Sequence, residues 1–302
     1  MNGGRTLLLL LGLAFTGCSG PGTGTRNARS LDRLATTPLS GPSLRLHVID
    51  VGQGDAILIQ TPDGKTALID TGPAGARTKL QTYLRFHGVR QIDLLVHSHA
   101  HADHVGNTAA LLKTMKVGAV LDPGFPHPAK AYARALDAIE GAGVPLKIAR
   151  SGRTIRMGEQ VTLAVLAPQR PYLRRTRSDV NANSVVLRVD YGEVRILLTG
   201  DAEHETEERL LARHPEKLRA HVLKVAHHGS KFATRRRFLA AVAPTVALIS
   251  AGKHNAYGHP NKKVMKRLAK RRVAVATTAR DGHLLLETDG RNLRLTRGHS
   301  PH

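Results

Sequence analysis

At 302 residues, the chain can hold one large or two small domains, and its 41% hydrophobic content is ample for a buried core. A single cysteine excludes a disulfide framework. The 45 lysines and arginines against 23 acidic residues give a net charge of +22, which favours nucleic acid or an anionic membrane as a partner, unless arginine usage only reflects genomic base composition. Aromatic residues make up 3%, so a stacking platform for single-stranded bases is not predicted, and nucleic acid would be contacted mainly at its phosphates.

The N-terminal segment 1–17 resembles a bacterial secretory signal, because Arg5 precedes an apolar run that ends in small residues. Cys18 stands where a lipoprotein signal places its lipidated residue, so we expect an exported, membrane-anchored lipoprotein facing the periplasm or the cell exterior. Cleaved export of a soluble protein and a retained segment are the alternatives. Residues 18–43, rich in Gly, Ser, Thr, Pro and Arg, are predicted to be a flexible tether, and 44–302 the folded domain.

Apolar alternation and turn residues predict a β-meander and then alternating strands and helices, which is the α/β pattern. In the first half we expect strands at about 44–51, 56–60, 66–70, 92–96 and 117–121, and helices at about 77–87, 105–115 and 129–141. In the second half we expect strands at about 146–166, 185–190, 194–198, 222–226, 246–250, 273–277, 284–287 and 293–295, and helices at about 203–212, 235–241 and 261–271. The polar, basic segment 168–183 is predicted to be an exposed loop, and the two similar halves suggest one sandwich domain.

The most informative stretch follows the apolar run 92–96, where four histidines and one aspartate occupy eight positions, 97–104. Imidazole and carboxylate bind borderline divalent metals, and a tight turn can direct several of them to one point. Further candidate ligands also follow predicted strands: Asp70, Asp201, His227, His228 and His259. Because strands of a sheet can end along one rim, these side chains are expected to converge there. Taken singly, Asp70 fits a turn residue, Asp201 a helix N-cap and His259 a solvated loop histidine.

The run His99-Ala100-His101-Ala102-Asp103-His104 matches the His-x-His-x-Asp-His signature of the metallo-β-lactamase superfamily. Within that superfamily, the chain is similar to the soluble hydrolase domain of ComEC-type competence proteins. The supporting motifs occur in that family's order over about residues 44–287, and they lie at 50–56, 68–72, 183–184, 198–201, 227–230 and 257–260.

This resemblance implies a four-layer αββα sandwich with two divalent metal ions at one rim, zinc first among the candidates and manganese or iron as alternatives. It implies that His99 and His101 hold the first metal, Asp103 and His104 hold the second, and Asp201 bridges them. The further ligand of the second metal would be His227, with His228 nearby, although sequence does not separate two adjacent histidines. His97 has no place in the signature, so it is expected behind the ligands or facing solvent. Where many family members have a third histidine for the first metal, this chain has Asn181-Ala182-Asn183-Ser184.

Other residues receive supporting roles in this interpretation. Asp103, His228 and His259 would take part in the reaction, either of the two histidines by protonating the leaving oxygen. Asp70 and Asn183 would hydrogen-bond the ligands. Substrate phosphates would be contacted by basic residues of three segments, namely Arg174, Arg175, Lys231 and Lys262.

The predicted function is hydrolysis of phosphodiesters in DNA or other nucleic acid. One alternative is a hydrolase of small esters or phosphodiesters, similar to phosphorylcholine esterases or lactonases. Another is a non-catalytic, DNA-binding lipoprotein. No run of about 20 apolar residues follows the signal, so the chain is expected to touch the membrane only through a lipid anchor and to act alone or beside a separate DNA-uptake channel.

Overall fold

The computed structural model of the protein describes residues 23–298. The predicted secretory signal and Cys18 lie outside this range. The helices are α1 (Thr23–Ala35), α2 (Arg77–Phe86), α3 (Ala102–Val105), α4 (Thr108–Leu112), α5 (Lys130–Gly141), α6 (Asp179–Ala182), α7 (His204–Arg213), α8 (Arg236–Val242), α9 (Lys262–Lys270) and α10 (Thr278–Asp281).

The strands are β1 (Leu44–Val48), β2 (Ile57–Gln60), β3 (Thr66–Ile69), β4 (Gln91–Ile92), β5 (Leu94–Val96), β6 (Lys116–Val117), β7 (Val120–Asp122), β8 (Leu146–Ile148), β9 (Thr154–Met157), β10 (Val161–Ala167), β11 (Val186–Tyr191), β12 (Val194–Leu198), β13 (Val222–Lys224), β14 (Val246–Ile249), β15 (Ala274–Thr277), β16 (Leu284–Thr288) and β17 (Leu293–Arg297).

Two mixed sheets form the centre of the fold. The first sheet has the strand order β17-β16-β1-β2-β3-β5-β7-β8, and the second has the order β15-β14-β13-β12-β11-β10-β9. Neighbouring strands β3, β5 and β7 are parallel, as are β12, β13, β14 and β15. The carboxyl ends of parallel neighbours open at one rim of a sheet, and this rim is where the predicted ligands follow their strands.

Alternating side chains explain why the sheets and helices form four layers. Leu46 and Ile59 of the first sheet and Ile196 of the second belong to the apolar core between the sheets. On the outer face of the first sheet, Leu58 packs with residues of α2, α4 and α5, and on the outer face of the second, Leu223 packs with residues of α7, α8 and α9. Because strand side chains alternate between two apolar layers, both faces of each sheet are buried. The chain is therefore an α/β protein with the predicted αββα sandwich.

The segment predicted to be a flexible tether differs from the structure over Thr23–Ala35, which is helix α1. Leu31 is buried in the core between the sheets, and the Asn27 side chain pairs with the backbone of Val275 on the edge strand β15. Arg297 of the edge strand β17 also binds Asp32, with 3.1 Å between Nη2 and Oδ1. These contacts anchor a helix whose polar, loop-like composition gave little sign of packing.

Smaller differences concern segment ends. The predicted helix over 105–115 is divided into α3 and α4. The basic loop over 168–183 contains the short helix α6, and Ser178 caps its N-terminus by accepting the N–H of Asn181 with its side chain. Over residues 23–298, no helix combines the length and apolar character that crossing a membrane requires.

Candidate metal centre

Three strand ends, one in the first sheet and two in the second, meet at the rim. In the first sheet, β5 ends at Val96 and α3 begins at Ala102, so the histidine-rich segment forms the loop between them. In the second sheet, Asp201 follows β12 and His227 and His228 follow the neighbouring parallel strand β13. The ordered strand ends therefore bring residues about a hundred positions apart in the chain to one place.

One part of the cluster is compact and consists of Asp103, His104, His228 and Asp201. His228 Nε2 lies 3.4 Å from Asp103 Oδ2 and 3.7 Å from Asp201 Oδ2. His104 Nε2 lies 3.7 Å from Asp103 Oδ2 and 3.5 Å from Asp201 Oδ1. Two imidazole nitrogens and two carboxylates thus surround one point, a donor set suited to a borderline divalent cation. We call these four residues the compact half.

The imidazoles of the compact half are held by hydrogen bonds on the nitrogen that faces away from the cluster. His104 Nδ1 donates to Asp70 Oδ2 at 2.7 Å, and Asp70 also accepts the N–H and hydroxyl of Ser98. His228 Nδ1 donates to the carbonyl of Ser250 at 3.0 Å. Such a bond fixes the tautomer and leaves the Nε2 lone pair free for a metal. Asp70 therefore makes the contact that the predicted orienting role requires.

The other part of the cluster is looser and consists of His99, His101, His227 and Asn181, which we call the open half. His99 Nε2 lies 3.8 Å from Asp201 Oδ2 but also 3.0 Å from His101 Nδ1. His227 Nε2 lies 3.6 Å from Asp201 Oδ2, and its Nδ1 bonds to Glu203 at 2.9 Å.

Donor atoms within 4.8 Å of one another define the possible metal groups among the described residues. These groups include His99 with His104 and Asp201, but neither His101 nor His227 belongs to one. His99 is therefore the one histidine of the open half that belongs to such a group, which agrees with a sequence that lacks the third histidine there.

Buried polar atoms without partners test whether the site fits a metal. Among the described residues, His104 Nε2, His228 Nε2 and Asp201 Oδ1 are buried and make no hydrogen bond. Leaving a buried donor or acceptor unpaired costs about 1–3 kcal/mol each, so three at one point indicate a ligand that satisfies them together. The residues therefore fit a divalent metal shared through Asp201.

The electrostatic balance points to the same conclusion. Burial disfavours the charged form of His104, but the carboxylates of Asp201, Asp70 and Asp103 outweigh it and raise the pKa of this histidine well above its usual range. Burial and then the neighbouring His104 lower the pKa of His99 well below its usual range. The carboxylates thus create a negative potential that attracts a cation, while the neutral form that a ligand histidine needs is favoured at His99.

A buried ion pair lies behind the compact half. Lys224 Nζ at the end of β13 is 2.6 Å from Asp55 Oδ2, and both side chains are at most 1% exposed. Asp55 Oδ1 is 3.5 Å from His228 Nδ1. Burial would raise the pKa of Asp55, but Lys224 and then His228 outweigh it and hold this pKa well below its usual range. The charged pair joins the two sheets directly beneath the cluster.

The site has unusual backbone geometry. Asp70, His227 and His228 have φ angles of 62°, 49° and 52°, in the left-handed region that costs non-glycine residues energy. The two consecutive left-handed residues give the adjacent histidines separate surroundings, His228 in the compact half and His227 beside Glu203. At Gly54, an added Cβ would lie 2.2 Å from the carbonyl oxygen of Asp103, so only glycine permits this approach.

A cavity of 620 Å³ opens above the cluster. Its wall includes His101, Asp103, Asn181, Asp201, His227 and His228, together with Gln53, Arg177, Lys231, Phe232, Tyr257 and His259. Of the four basic residues predicted to contact substrate, only Lys231 lines this cavity. Arg174 and Arg175 are exposed elsewhere, Arg174 with its guanidinium 4.5 Å from the centroid of the Phe125 ring, and Lys262 is exposed at the start of α9.

Two further predictions concern residues that lie away from the metal cluster's ligands. His97 is fully buried and bonds to Asp122 and Thr108, so the solvent-facing alternative is wrong. Asn183 bonds to the backbone of Leu173 and Asp179 and thus holds its own loop rather than a ligand. These contacts explain both polar side chains without a metal.

His259 lines the cavity. Its pKa is lowered to about 4 by burial and then by His227 and His228, so its ring is neutral near pH 7. It is therefore a hydrogen-bonding group rather than a strong acid.

No role was predicted for Asp55, Lys224 or Glu203, and Arg177 was predicted only as part of a basic loop. The available signal was a charged residue inside an apolar run for Lys224 and directly before one for Asp55, because a buried charge needs a partner. Glu203, 1% exposed at its side chain, accepts hydrogen bonds from Arg177 and binds His227 Nδ1. It follows Asp201 by two positions, which is the only hint that the sequence offered.

The chain is similar to known proteins in sequence. A family model described as "Metallo-beta-lactamase superfamily" matches residues 49–254. ComE operon protein 3 of Bacillus subtilis is 34% identical over 255 residues, which cover 78% of this chain and 32% of that protein. Competence protein ComA of Neisseria gonorrhoeae is 33% identical over 238 residues, covering 78% and 31%. The chain thus spans about a third of the length of these relatives.

Solved structures share the fold. Igni18, a metallo hydrolase from the archaeon Ignicoccus hospitalis, superposes with a TM-score of 0.50 at 15% identity, covering 80% of this chain and 98% of that one. The similarity to competence proteins predicted from the ordered motifs is confirmed, and so is the sandwich fold.

Proposed function

We propose, from the premise that this chain belongs to the metallo-beta-lactamase superfamily, that it is a metal-dependent hydrolase that cleaves phosphodiester bonds of nucleic acid. The single observation that supports this substrate best is a basic groove beside the cavity. Two chain segments run from the cavity into the groove. In the first, Lys231 and Phe232 border the cavity, and Arg235 to Arg237 border the groove. In the second, Asn261 borders the cavity and Lys263 borders the groove.

Charge in the groove is almost entirely of one sign. Its wall has eight lysines and arginines, namely Arg235, Arg236, Arg237, Lys263, Lys266, Arg267, Lys270 and Arg271, and one acidic residue, Glu208. Within residues 23–298, Glu208 pairs with Arg237, and the side chains of the other seven form no ion pair within 4.0 Å, although the buried Glu207 attracts Arg235 and Arg267. Unpaired cations in a groove repel one another unless an anion lies between them, and a phosphate backbone is such an anion.

We assign the metal ligands from the contacts above. Asp103, His104 and His228 would hold one divalent ion, so His228 replaces the sequence-based choice of His227. Asp201 would bridge to a second ion near His99 and His101. When bound, two such ions supply an activated water near neutral pH and neutralise the charge that develops on the phosphate. Zinc and manganese both remain candidates for this donor set.

The protein's own groups complete the reaction. Asp70 and the Ser250 carbonyl keep the imidazoles of His104 and His228 in place, and Glu203 holds His227 beside them. His259, which is neutral and lines the cavity, would donate a hydrogen bond to the departing oxygen. Arg177 and Lys231 on the same wall would bind the phosphate oxygens that do not react.

The test is hydrolysis by the full chain loaded with Zn²⁺ or Mn²⁺. Single- and double-stranded DNA, RNA, bis(4-nitrophenyl) phosphate and a panel of small esters and lactones are compared, with Asp201→Asn as the inactive control. We expect cleavage of nucleic acid. The logarithm of the binding constant should fall with the logarithm of the salt concentration at a slope of about −5 for six phosphate contacts. Turnover of esters or lactones alone would identify a small-molecule hydrolase. DNA binding by wild type without turnover at full metal occupancy would identify a non-catalytic binding protein.

The cellular setting is part of the proposal. Its support is the N-terminal pattern ending at Cys18 and the competence proteins among the relatives, which favour nucleic acid handled at the cell envelope beside a separate uptake channel. Radiolabelled palmitate should enter the wild-type chain in cells and should not enter Cys18→Ala. Secretion of an unlabelled wild-type protein would instead favour the soluble, exported alternative.

A further inference from the structure

Tyr257 is the most exposed of the large apolar side chains in the described part of the chain, at 71% of its surface. It lies in the wall of the cavity above the metal centre. Isolated exposed apolar residues are ordinary on protein surfaces, so exposure alone says little. An exposed ring at the mouth of a polar, cationic cavity does need an explanation, because the ring is neither buried in the core nor charged.

The backbone that presents this ring is held in place. Asn255 Oδ1 accepts the N–H of Tyr257 at 3.2 Å and the N–H of His259 at 2.9 Å. Its Nδ2 donates to the carbonyls of Gly252 and His259. One half-buried amide thus closes the loop on both sides of the tyrosine. The ring is therefore displayed by a hydrogen-bonded turn and not by a free chain.

Contacts of the ring define a stacking surface. The Tyr257 and His259 rings lie 5.7 Å apart between centroids at an interplanar angle of 22°, so the imidazole supports one face of the phenol ring. Elsewhere in the cavity wall, Phe232 is contacted by the guanidinium of Arg177 at 4.2 Å from its centroid and by Lys231 at 5.0 Å. The cavity thus offers cations and one unpaired aromatic face.

Cations fit phosphate oxygens, whereas an aromatic face fits another flat ring. In a duplex, the faces of the bases are covered by their neighbours, so a protein ring reaches a base face only where the base is unpaired. A small ester or a phosphate without a base would leave Tyr257 exposed to water.

We propose that Tyr257, supported by His259, is a stacking subsite for an unpaired base of the nucleotide next to the phosphodiester held at the metal centre. The protein then prefers single-stranded nucleic acid to duplex. This inference rests on the proposed function. It also revises the expectation drawn from a 3% aromatic content, because composition counts rings without showing that one of them stands at the cavity mouth.

The experiment compares Tyr257→Ala with the matched control Tyr257→Phe, which keeps the ring. The substrates are a single-stranded thymidine oligonucleotide and a strand of the same length made of abasic residues, both cleaved by the metal-loaded full chain. On the thymidine strand, kcat/KM of Tyr257→Ala should fall roughly 5- to 100-fold through KM, and Tyr257→Phe should stay near wild type. On the abasic strand, all three proteins should be equal. Equal thermal unfolding midpoints verify the fold, since the side chain is exposed.

Each result decides between the two proposals. If Tyr257→Ala equals wild type on the thymidine strand, or loses as much on the abasic strand, the stacking subsite is wrong while the phosphodiesterase function stands. If wild type cleaves neither strand but hydrolyses a small ester, the proposed function is wrong and the subsite with it.

Discussion

The two halves of the metal cluster share Asp201 but differ in how the fold supports them. In the compact half, His104 and His228 are buried and tied by their outer nitrogens to Asp70 and the Ser250 carbonyl. In the open half, His101 bonds to His99, and His227 is 17% exposed at the cavity. The imidazoles of the compact half are both enclosed and anchored, whereas Glu203 anchors His227 but leaves it open to the cavity, so we expect the compact half to bind its metal more tightly.

This difference shows that a shared signature does not imply equal sites. All four signature ligands follow the one strand β5, yet only Asp103 and His104 meet a histidine from the other sheet within bonding range of one ion. The second sheet therefore decides which half is complete. Asn181, with its buried and unpartnered Oδ1, stands in the open half where many relatives of this fold are expected to place an imidazole.

The largest expected effect comes from removing one ligand from each half. Asp103→Ala should remove several kcal/mol of transition-state stabilisation, lowering kcat/KM for bis(4-nitrophenyl) phosphate by roughly 10³-fold or more, with loss of one bound metal per chain. His101→Ala should cost only about 10–100-fold, the size typical of a supporting contact. Metal content by elemental analysis accompanies the kinetics. Equal losses of rate and metal in both variants would contradict the comparison.

The ion pair beneath the compact half gives the next effect. Lys224→Met leaves the Asp55 carboxylate buried and unpaired, so the free energy of unfolding in urea should fall by about 3–5 kcal/mol. Because Asp55 also faces His228, metal affinity should weaken too. The double variant Asp55→Asn with Lys224→Met should recover much of the stability. A loss below about 1 kcal/mol in the single variant, which is typical of exposed pairs, would contradict the assigned role.

The stability of the fold around helix α7, next to the open half, is expected to depend on pH. Glu203, which holds His227, precedes helix α7, and Glu207 of that helix accepts the N–H groups of Thr234 and Arg235. Burial, only partly opposed by these bonds, raises the pKa of Glu207 to about 7 from an ordinary value of 4.5. Below pH 4.5 the carboxyl is protonated in both states. As pH rises towards 7, the unfolded chain ionises first, and stability is lost.

The difference in unfolding free energy between wild type and Glu207→Gln isolates this group. Wild type should lose about 3 kcal/mol more than the variant between pH 4.5 and pH 7, and the difference should be constant above that range. Urea titrations at several pH values measure it. Parallel pH profiles of the two proteins would show that Glu207 titrates normally.

The smallest effect concerns the approach of two backbones. A Cβ at Gly54 would meet the carbonyl oxygen of Asp103 and push that ligand away from the compact half. Gly54→Ala should lower metal affinity by roughly 10–100-fold. Gly52→Ala is the matched control, because Gly52 also has a positive φ, 77°, but open space around it. Similar affinities of the two variants would show that backbone strain, and not the contact with Asp103, sets the effect.

Much of this molecule was predictable from local pattern. Apolar alternation predicted nearly every strand, and the order of strand ends predicted that Asp70, Asp201 and the paired histidines converge. Local pattern did not determine the direction in which adjacent side chains point. His227 and His228 are neighbours in sequence, and their side chains point to different surroundings because both residues adopt left-handed backbone conformations set by tertiary contacts. The roles of Asp55 and Lys224 were equally hidden, because each explains the other's burial only once the two sheets are packed.

Helix α1 affects the tendency of the protein to self-associate. β15 and β17 are edge strands, and an edge strand exposes unpaired backbone groups on which another chain can add a strand. The Asn27 side chain imitates such a strand, donating to the Val275 carbonyl at 3.1 Å and accepting its N–H at 2.8 Å, while the helix covers the adjoining end of the sandwich. A chain shortened to residue 44 would lose this cover, and its sheets would be open to self-association and aggregation.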